Sequence, residues 1–365
     1  MKNTTNDTLI FIPDISGFSR FVDQTAIEHS RHIITELLEL IINADKLGMT
    51  VSVIEGDAVL FFKNTVPEID AILSQVEKTF LRFHNHLQRY ETERICRCGA
   101  CETANNLSLK FVVHKGSVQH LKVKNHHTLH GSDVIYAHRL LKNAIDSDEY
   151  VLFTDKFSDE LDELKIPHAA FRWIDKIEKG TEKKGNYRVN YRIIHLNQLF
   201  GKVEKAKERT LPKAGKKALK FQMIINRNTD DFYQIFSDLD QRSEWVSNIQ
   251  EIIKPGDEIN QAGSVHTCVI DHQPMKIQAL GRKEDDEKIV YAERINEMGV
   301  FREMIRIYTF EKHRDHTRLK LEVNFTLKSS LLGILRPMIR KRLAKKSLKN
   351  LNQLKEYSEA NSVKH

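Results

Sequence analysis

The sequence predicts an α+β protein in two domains, and three observations carry that reading. Over the first 200 residues, apolar stretches of strand period interleave with long amphipathic helical stretches. A charged segment with few apolar residues, 201–217, then reads as a linker. Beyond it, across 218–360, come one strand, one helix, a ladder of alternating strands and a long closing helix. At 365 residues the chain is long enough for two cores.

Taken in order, the β-branched run ahead of Asp14 predicts a strand at about 8 to 14, and 3.6-residue periodicity predicts a helix over about 25 to 45. Two apolar runs around Gly56 predict a hairpin over 49 to 63, and Pro67 opens a helix over 67 to 92. Strands follow at 107 to 114 and 117 to 124, a helix at 132 to 145, a strand at 150 to 154, and closing strands near 170 to 175 and 187 to 196. In the second domain a strand at 219 to 226 and a helix at 230 to 239 precede Ser243-Glu244-Trp245-Val246-Ser247-Asn248-Ile249. Strands near 263 to 271, 273 to 282, 288 to 295, 301 to 312 and 316 to 327 then lead to a helix over about 330 to 358.

Two acidic residues stand out. Asp14 lies in Phe11-Ile12-Pro13-Asp14-Ile15-Ser16-Gly17-Phe18 and Asp57 in Val53-Ile54-Glu55-Gly56-Asp57-Ala58-Val59. Each sits where an apolar stretch gives way to a glycine turn, which is how a sheet offers an oxygen ligand at its rim. Hard cations such as Mg²⁺ or Mn²⁺ take one or two such carboxylates and complete their shell with phosphates and water. A single aspartate at a strand end is more often a plain turn residue; the pair, in this order, favours a metal site.

These runs resemble the class III adenylate/guanylate cyclase catalytic domain, whose first metal motif reads Phe-x-Asp-Ile-x-Gly-Phe-Thr and whose second is a Gly-Asp between hairpin strands. A third run, His127-Thr128-Leu129-His130-Gly131-Ser132-Asp133-Val134-Ile135-Tyr136-Ala137-His138-Arg139-Leu140, is similar to that family's Tyr-Thr-x-x-Gly-Asp-x-Val-Asn-x-Ala-x-Arg-Leu, and Val113-His114-Lys115-Gly116 stands where the family has Ile-His-x-Gly. The resemblance covers 1–200 and implies a ferredoxin-like nucleotidyl-cyclase sheet working as a homodimer on a purine nucleoside triphosphate. It implies metal ligation by Asp14, Asp57 and the carbonyl of Ile15, base reading by Thr128, and charge stabilisation by Arg139, a role that suits a planar cation. Two positions depart from the family. Ile135 replaces the asparagine that orients the ribose, and Val53 replaces the lysine that reads adenine. Glu55, beside Asp57, reads as a solvated turn residue or an added carboxylate.

Three of the four cysteines, Cys96, Cys98 and Cys101, fall within six residues. In a reducing compartment such a cluster suggests Zn²⁺ or a redox element, with His84, His86, His114, His126 or His127 as a fourth ligand, or else three free thiols at a hairpin tip. A Cys-x-Cys-x-x-Cys run is similar to one in an uncharacterised bacterial family of cyclase-like domains, which the chain resembles more closely than the catalytic cyclases. The remaining histidines of the 17 are scattered.

The order of elements in 218–360 resembles the START-like helix-grip fold of the polyketide cyclase/dehydrase and lipid transport superfamily (SRPBCC), which implies a small hydrophobic ligand between a curved sheet and the last helix. Phe232, Phe236, Trp245, Met275, Tyr291, Phe301 and Phe325 can equally fill that space as an ordinary core. The last helix sets Arg336, Arg340 and Lys345 beside Leu335, Ile339 and Leu343. Such a helix can lie on an anionic membrane surface, but closing its own domain with solvated charges is the favoured reading.

The balance of 57 basic against 50 acidic residues gives a net charge of +7 without any nucleic-acid motif, so no nucleic-acid partner is expected. No run is apolar enough to span a membrane and the first residues lack a signal-peptide core, so a cytoplasmic location is expected. Two functions are compatible with these features. One is a divergent cyclase tuned by a START-like ligand domain; the other is a catalytically inactive cyclase-like signalling or dimerisation module joined to a carrier domain.

Overall fold

The computed structural model describes residues 7–23, 27–95, 102–124, 126–166, 168–184, 187–205, 209–246, 248–253, 261–270 and 272–361. The chain divides into two compact units, one of 1–24, 33–88 and 103–205, the other of 25–32, 89–102 and 206–365. The architecture is α+β in both.

The first unit runs β1 (Thr8–Ser16), α1 (Phe18–Asp23), α2 (Ile27–Asn43), β2 (Thr50–Glu55), β3 (Ala58–Lys63), α3 (Ile69–Glu93), β4 (Ser108–Gly116), β5 (Gln119–Val123), β6 (His126–His130), α4 (Ser132–Arg139), β7 (Tyr150–Thr154), α5 (Ser158–Asp162), β8 (Glu178–Lys184) and β9 (Tyr187–His195). Its sheet has the order β2-β3-β1-β4-β7-β9-β8, while β5 and β6 form a separate hairpin. The β4–β7 pair is parallel and β1 is antiparallel to both neighbours, giving the ferredoxin-like centre. Every residue of β1 is buried. Its two-residue period sends Ile10 and Ile12 into a core shared with Leu60, Val112, Val134 and Leu152. Phe11, of opposite parity, meets Phe61 and Phe111 with ring centroids 6.3 and 5.5 Å away.

Several elements differ from the sequence expectation. No strand forms at 170–175; Phe171, Trp173 and Ile174 are buried in a turn, with Trp173 Nε1 donating to Glu77 Oε2 at 2.9 Å. The strand is instead β8, whose Glu-Lys-Gly-Thr-Glu-Lys-Lys carries the charges that protect a sheet edge and hide a strand from pattern reading. The helix expected to run to 145 ends at Arg139.

The second unit runs β10 (Leu219–Ile225), α6 (Thr229–Ser237), α7 (Arg242–Trp245), β11 (Ile249–Ile253), β12 (Val265–Ile270), β13 (Gln273–Glu284), β14 (Lys288–Asn296), β15 (Phe301–Lys312), β16 (Thr317–Leu327), a 3₁₀ turn (Ser330–Gly333) and α8 (Arg336–Ala360). Its sheet, β10-β16-β15-β14-β13-β12-β11, is antiparallel throughout. Asn228 caps α6 by accepting from the Asp231 N–H at 2.9 Å. A register shift between Ala279 and Gly281, with Gly281 at φ +147°, bends β13. Ile339, Leu343, Leu351 and Leu354 of α8 are buried in the core that lines the sheet. Residues 209–217 of the expected linker are anchored within this unit, to which Glu93 at the end of α3 also belongs: Arg209 pairs with Glu93 at 2.9 Å and the Gly215 N–H donates to Asn324 at 3.0 Å.

Gly116 and Gly180 in the first unit leave no room for a side chain, and a Cβ on Gly116 would lie 2.4 Å from Asp133 Cγ. Asp133 in turn accepts from the Ser117 N–H at 2.9 Å and meets His114 Nε2 at 3.1 Å. Gly116→Ala is expected to cost about 1–3 kcal/mol by displacing Asp133; urea denaturation measures it, and an unchanged midpoint would show that the contact yields freely.

Candidate functional site

The β2–β3 hairpin turns through Gly56 and Asp57 alone, pairing Glu55 with Ala58. Gly56 adopts φ +61°, a conformation glycine takes without steric cost. Ala58 faces Asp14 across β1–β3, and the Ile15 N–H donates to the Asp57 carbonyl at 3.0 Å. The hairpin therefore sets Asp57 beside Asp14 at the sheet rim, and both expected carboxylates and Ile15 are brought together. On the other side of β1, Asp14 faces Lys110 of β4, with Nζ 3.1 Å from Oδ2.

This cluster is largely out of water: Asp14 is buried and Asp57 half-buried. Burial raises the Asp14 pKa, and Lys110 offsets this only in part. Burial raises Asp57 too, and the neighbouring Asp14 charge raises it further. Lys110 is held protonated: burial opposes its charge, but Asp14, Tyr150 and Asp57 outweigh burial. Tyr150, whose hydroxyl accepts from Asn143 Nδ2 at 2.6 Å, is raised by burial. Two carboxylates against one ammonium leave about one negative charge at the rim. Such oxygen donors fit a hard divalent cation. Among the described residues no group of three or more acidic, histidine or cysteine ligands exists, so a cation here would complete its shell from a ligand and water.

Lys110 and Tyr150 were not read from the sequence. The available signal was a lone lysine in Leu109-Lys110-Phe111-Val112-Val113 at the parity of core-facing Val112; only the β1–β4 register shows what it faces.

The third motif lies against the same face. His114 is buried with Nδ1 2.8 Å from Thr154 Oγ1 and Nε2 3.1 Å from Asp133, and burial lowers its pKa. Thr128 lies in β6, next to Leu129, whose N–H donates to Ser52 Oγ at 3.2 Å. Thr128 and Val53, which stand at the two positions that the cyclase resemblance assigns to the base, are thus on adjoining elements, and Val53 packs on the core. Ile135 projects half-exposed from α4. Arg139 ends that helix, exposed, and among the described residues no carboxylate pairs with it. Its neighbour His138 reaches Glu55, Nδ1 to Oε2 3.6 Å, so Glu55 faces α4.

The cysteines Cys96, Cys98 and Cys101 lie outside the described residues, as do the side chains of His126 and His127. Of the other histidines considered with them, His84 lies 2.8 Å from Glu149 and His86 3.1 Å from Glu36.

The second unit contains a cavity of about 60 Å³ between the sheet and α8. Its walls are mainly apolar, including Ile270, Met275, Leu321 and Leu354, but Arg242, Arg306 and Trp245 also line it. Arg242 donates to Glu293 Oε2 at 2.7 Å and Arg306 to Oε1 at 3.3 Å. Arg242 also lies 3.1 Å from His266 Nε2. Burial pushes Glu293 up, yet the two guanidiniums outweigh it and hold the carboxyl down to about 2. Two guanidiniums face one carboxylate, and the buried Trp245 Nε1 and Asn350 Oδ1 have no hydrogen-bond partner among the described residues.

Comparison with known proteins gives three kinds of match. Residues 34–150 match the family described as a protein of unknown function, DUF2652. An uncharacterized protein of Mycobacterium tuberculosis is 38% identical over 128 residues, 35% of this chain; the chain spans 60% of that protein's length. Among solved structures, the adenylyl cyclase CyaB from P. aeruginosa matches with 16% identity and TM-score 0.37, over 52% of this chain and 93% of its own. The guanylate cyclase domain of RhGC from Catenaria anguillulae, in complex with GTP, matches with 15% identity and TM-score 0.38, over 53% of this chain and 97% of its own.

The rim electrostatics set a testable sign. A raised folded-state pKa means that the Asp57 contribution is fully present below the unfolded value and is lost as pH rises through the folded one. With no divalent cation, Asp57→Asn is therefore expected to stabilise the protein at pH 7 by up to about 1 kcal/mol after solvent screening, and the gain is expected to vanish near pH 3. Thermal denaturation in chelator across this range reads it; a destabilised variant at pH 7 would show that the two carboxylates do not oppose each other.

Proposed function

We propose that this protein is a divergent class III nucleotidyl-cyclase-like protein whose first unit holds a purine nucleoside triphosphate together with Mg²⁺ or Mn²⁺. The observation that carries the reading is the convergence of Asp14 and Asp57 on one half-buried rim with an uncompensated negative charge. Asp14, Asp57 and the Ile15 carbonyl would hold the cation, which when bound neutralises the triphosphate. Lys110 keeps the Asp14 carboxylate ionised and positioned before a cation arrives. Thr128 would meet the base edge, and Arg139, exposed at the end of α4, would meet phosphate across a homodimer in which each copy completes the other's site.

Ile135 and Val53 favour binding over fast turnover. Neither a half-exposed isoleucine nor a core-packed valine can donate a hydrogen bond to a ribose oxygen or a purine. Each lost polar contact costs on the order of 10²–10³ in rate. Cyclic nucleotide synthesis is then slow or absent, and the module signals through occupancy.

In the second unit, the START-like resemblance and the cavity together support a small hydrophobic ligand. The excess guanidinium and the unpartnered indole N–H give that ligand an acidic head. The cavity of about 60 Å³ restricts it to a short acid, since benzene is taken up by an apolar cavity of about 150 Å³.

Two experiments test these assignments. Mn²⁺ with GTP or ATP is expected to raise the melting temperature more than either component alone, and Asp14→Asn and Asp57→Asn to remove that synergy; if both variants keep it, the nucleotide is elsewhere. Cyclic products measured in the same samples separate turnover from binding. For the second unit, acetate at millimolar concentration is expected to stabilise the protein where ethanol does not, with Arg306→Met removing the difference; equal effects of acid and alcohol would discard the acidic head.

A further inference from the structure

The expectation that the last helix only closes its own domain accounts for part of what the structure shows. Ile339, Leu343 and Leu351 are buried, but the segment just before them points its apolar side chains outward. Leu331 is 80% exposed and Ile334 85%, with Leu335 and Met338 at 45% and 47%. The backbone beneath them is ordered: Ser329 Oγ accepts from the Leu331 N–H at 3.3 Å, and the Leu335 and Ile339 N–H groups bond back to Leu332 and Leu335. These four side chains therefore form a fixed apolar shoulder, larger than the scattered single residues a soluble surface normally carries.

The charge around the shoulder has one sign. From residue 328 to 349 the chain contains lysines and arginines and no aspartate or glutamate. Arg336 stacks over the Phe325 ring at 5.4 Å, and a groove beside the shoulder is lined by Arg302, Lys328, Ser329, Ser330 and Arg336. Lys328 pairs at 3.1 Å with the exposed Glu297, which leaves the other cations in the majority.

We propose that this shoulder docks on an anionic lipid surface, with Leu331, Ile334, Leu335 and Met338 entering the acyl boundary and the surrounding guanidinium and ammonium groups meeting the headgroups. Charge complementarity decides between occupants. A second copy meeting the same patch by two-fold symmetry would set basic against basic. A nucleic acid would satisfy the cations and leave the aliphatic residues in water. An anionic bilayer satisfies both. The contact is peripheral, since among the described residues no helix is long and apolar enough to cross a membrane.

Co-sedimentation of the full chain with phosphatidylcholine vesicles, with and without phosphatidylserine at about 30 mole per cent, tests the proposal. Binding is expected only with phosphatidylserine and is expected to weaken with salt. The double variant Leu331→Ser with Ile334→Ser is expected to weaken it by about tenfold or more. Because both side chains are exposed, the variant should melt as the parent does, and circular dichroism checks this. The proposal is overturned if the parent ignores both vesicles, if the variant binds as tightly as the parent, or if the variant instead abolishes self-association seen by light scattering.

Discussion

The register of three adjacent strands is the constraint on which the first unit depends. Because β3, β1 and β4 are antiparallel neighbours, Ala58, Asp14 and Lys110 fall on one line across the sheet. The two-residue period of β1 then fixes the face: Ile10, Ile12 and Asp14 point the same way, so the row that builds the core ends in a carboxylate. A slip of one residue would turn Asp14 to the face of Phe11 and move both isoleucines out of their core, which is why the register is strongly specified. The apolar contacts that hold β1 in place thus also hold a charge where water is scarce. Lys110 offsets that burial without cancelling it.

The same geometry explains what was legible in the sequence. Asp14 and Asp57 could be read because local grammar marks them: an apolar strand, a glycine, a turn. Lys110 and Tyr150 could not, because their place in the site is set by pairing between segments nearly a hundred residues apart, and single-sequence periodicity carries no register. The charged edge strand β8 failed for the opposite reason, since edge protection erases the alternation by which strands are recognised. Phe171, Trp173 and Ile174 show the converse error: spaced like a strand and buried like one, they sit in a turn anchored by Trp173. The expected helix to 145 stops at Arg139, and Asn143 uses its amide to bond the Leu140 carbonyl and the Tyr150 hydroxyl instead.

The last helix and the turn before it carry two sets of apolar residues, one buried and one exposed. Its middle carries buried residues at helical spacing, Ile339, Leu343 and Leu351, and these face the core of the second unit. The segment at its start has similar composition, but there Leu331, Ile334, Leu335 and Met338 are exposed, in the 3₁₀ turn, just after it and in the first turn of α8. Sequence composition shows one basic amphipathic stretch; the exposures show two sets of apolar residues along it.

The two units solve the burial of charge in complementary ways. At the β1 rim two carboxylates share one ammonium, leaving one negative charge in excess. Beneath α8 two guanidiniums share one carboxylate, leaving one positive charge in excess, with an indole N–H unpartnered beside them. A protein that needed these groups only for its own stability would gain by neutralising them, since replacing buried ion pairs with apolar side chains of similar size is often neutral or stabilising. An unbalanced buried charge is instead a standing cost that a ligand of opposite sign removes, and the free energy so released adds to its affinity. In the proposed function the rim would take a cation and the cavity an acid, the same physics applied with opposite sign.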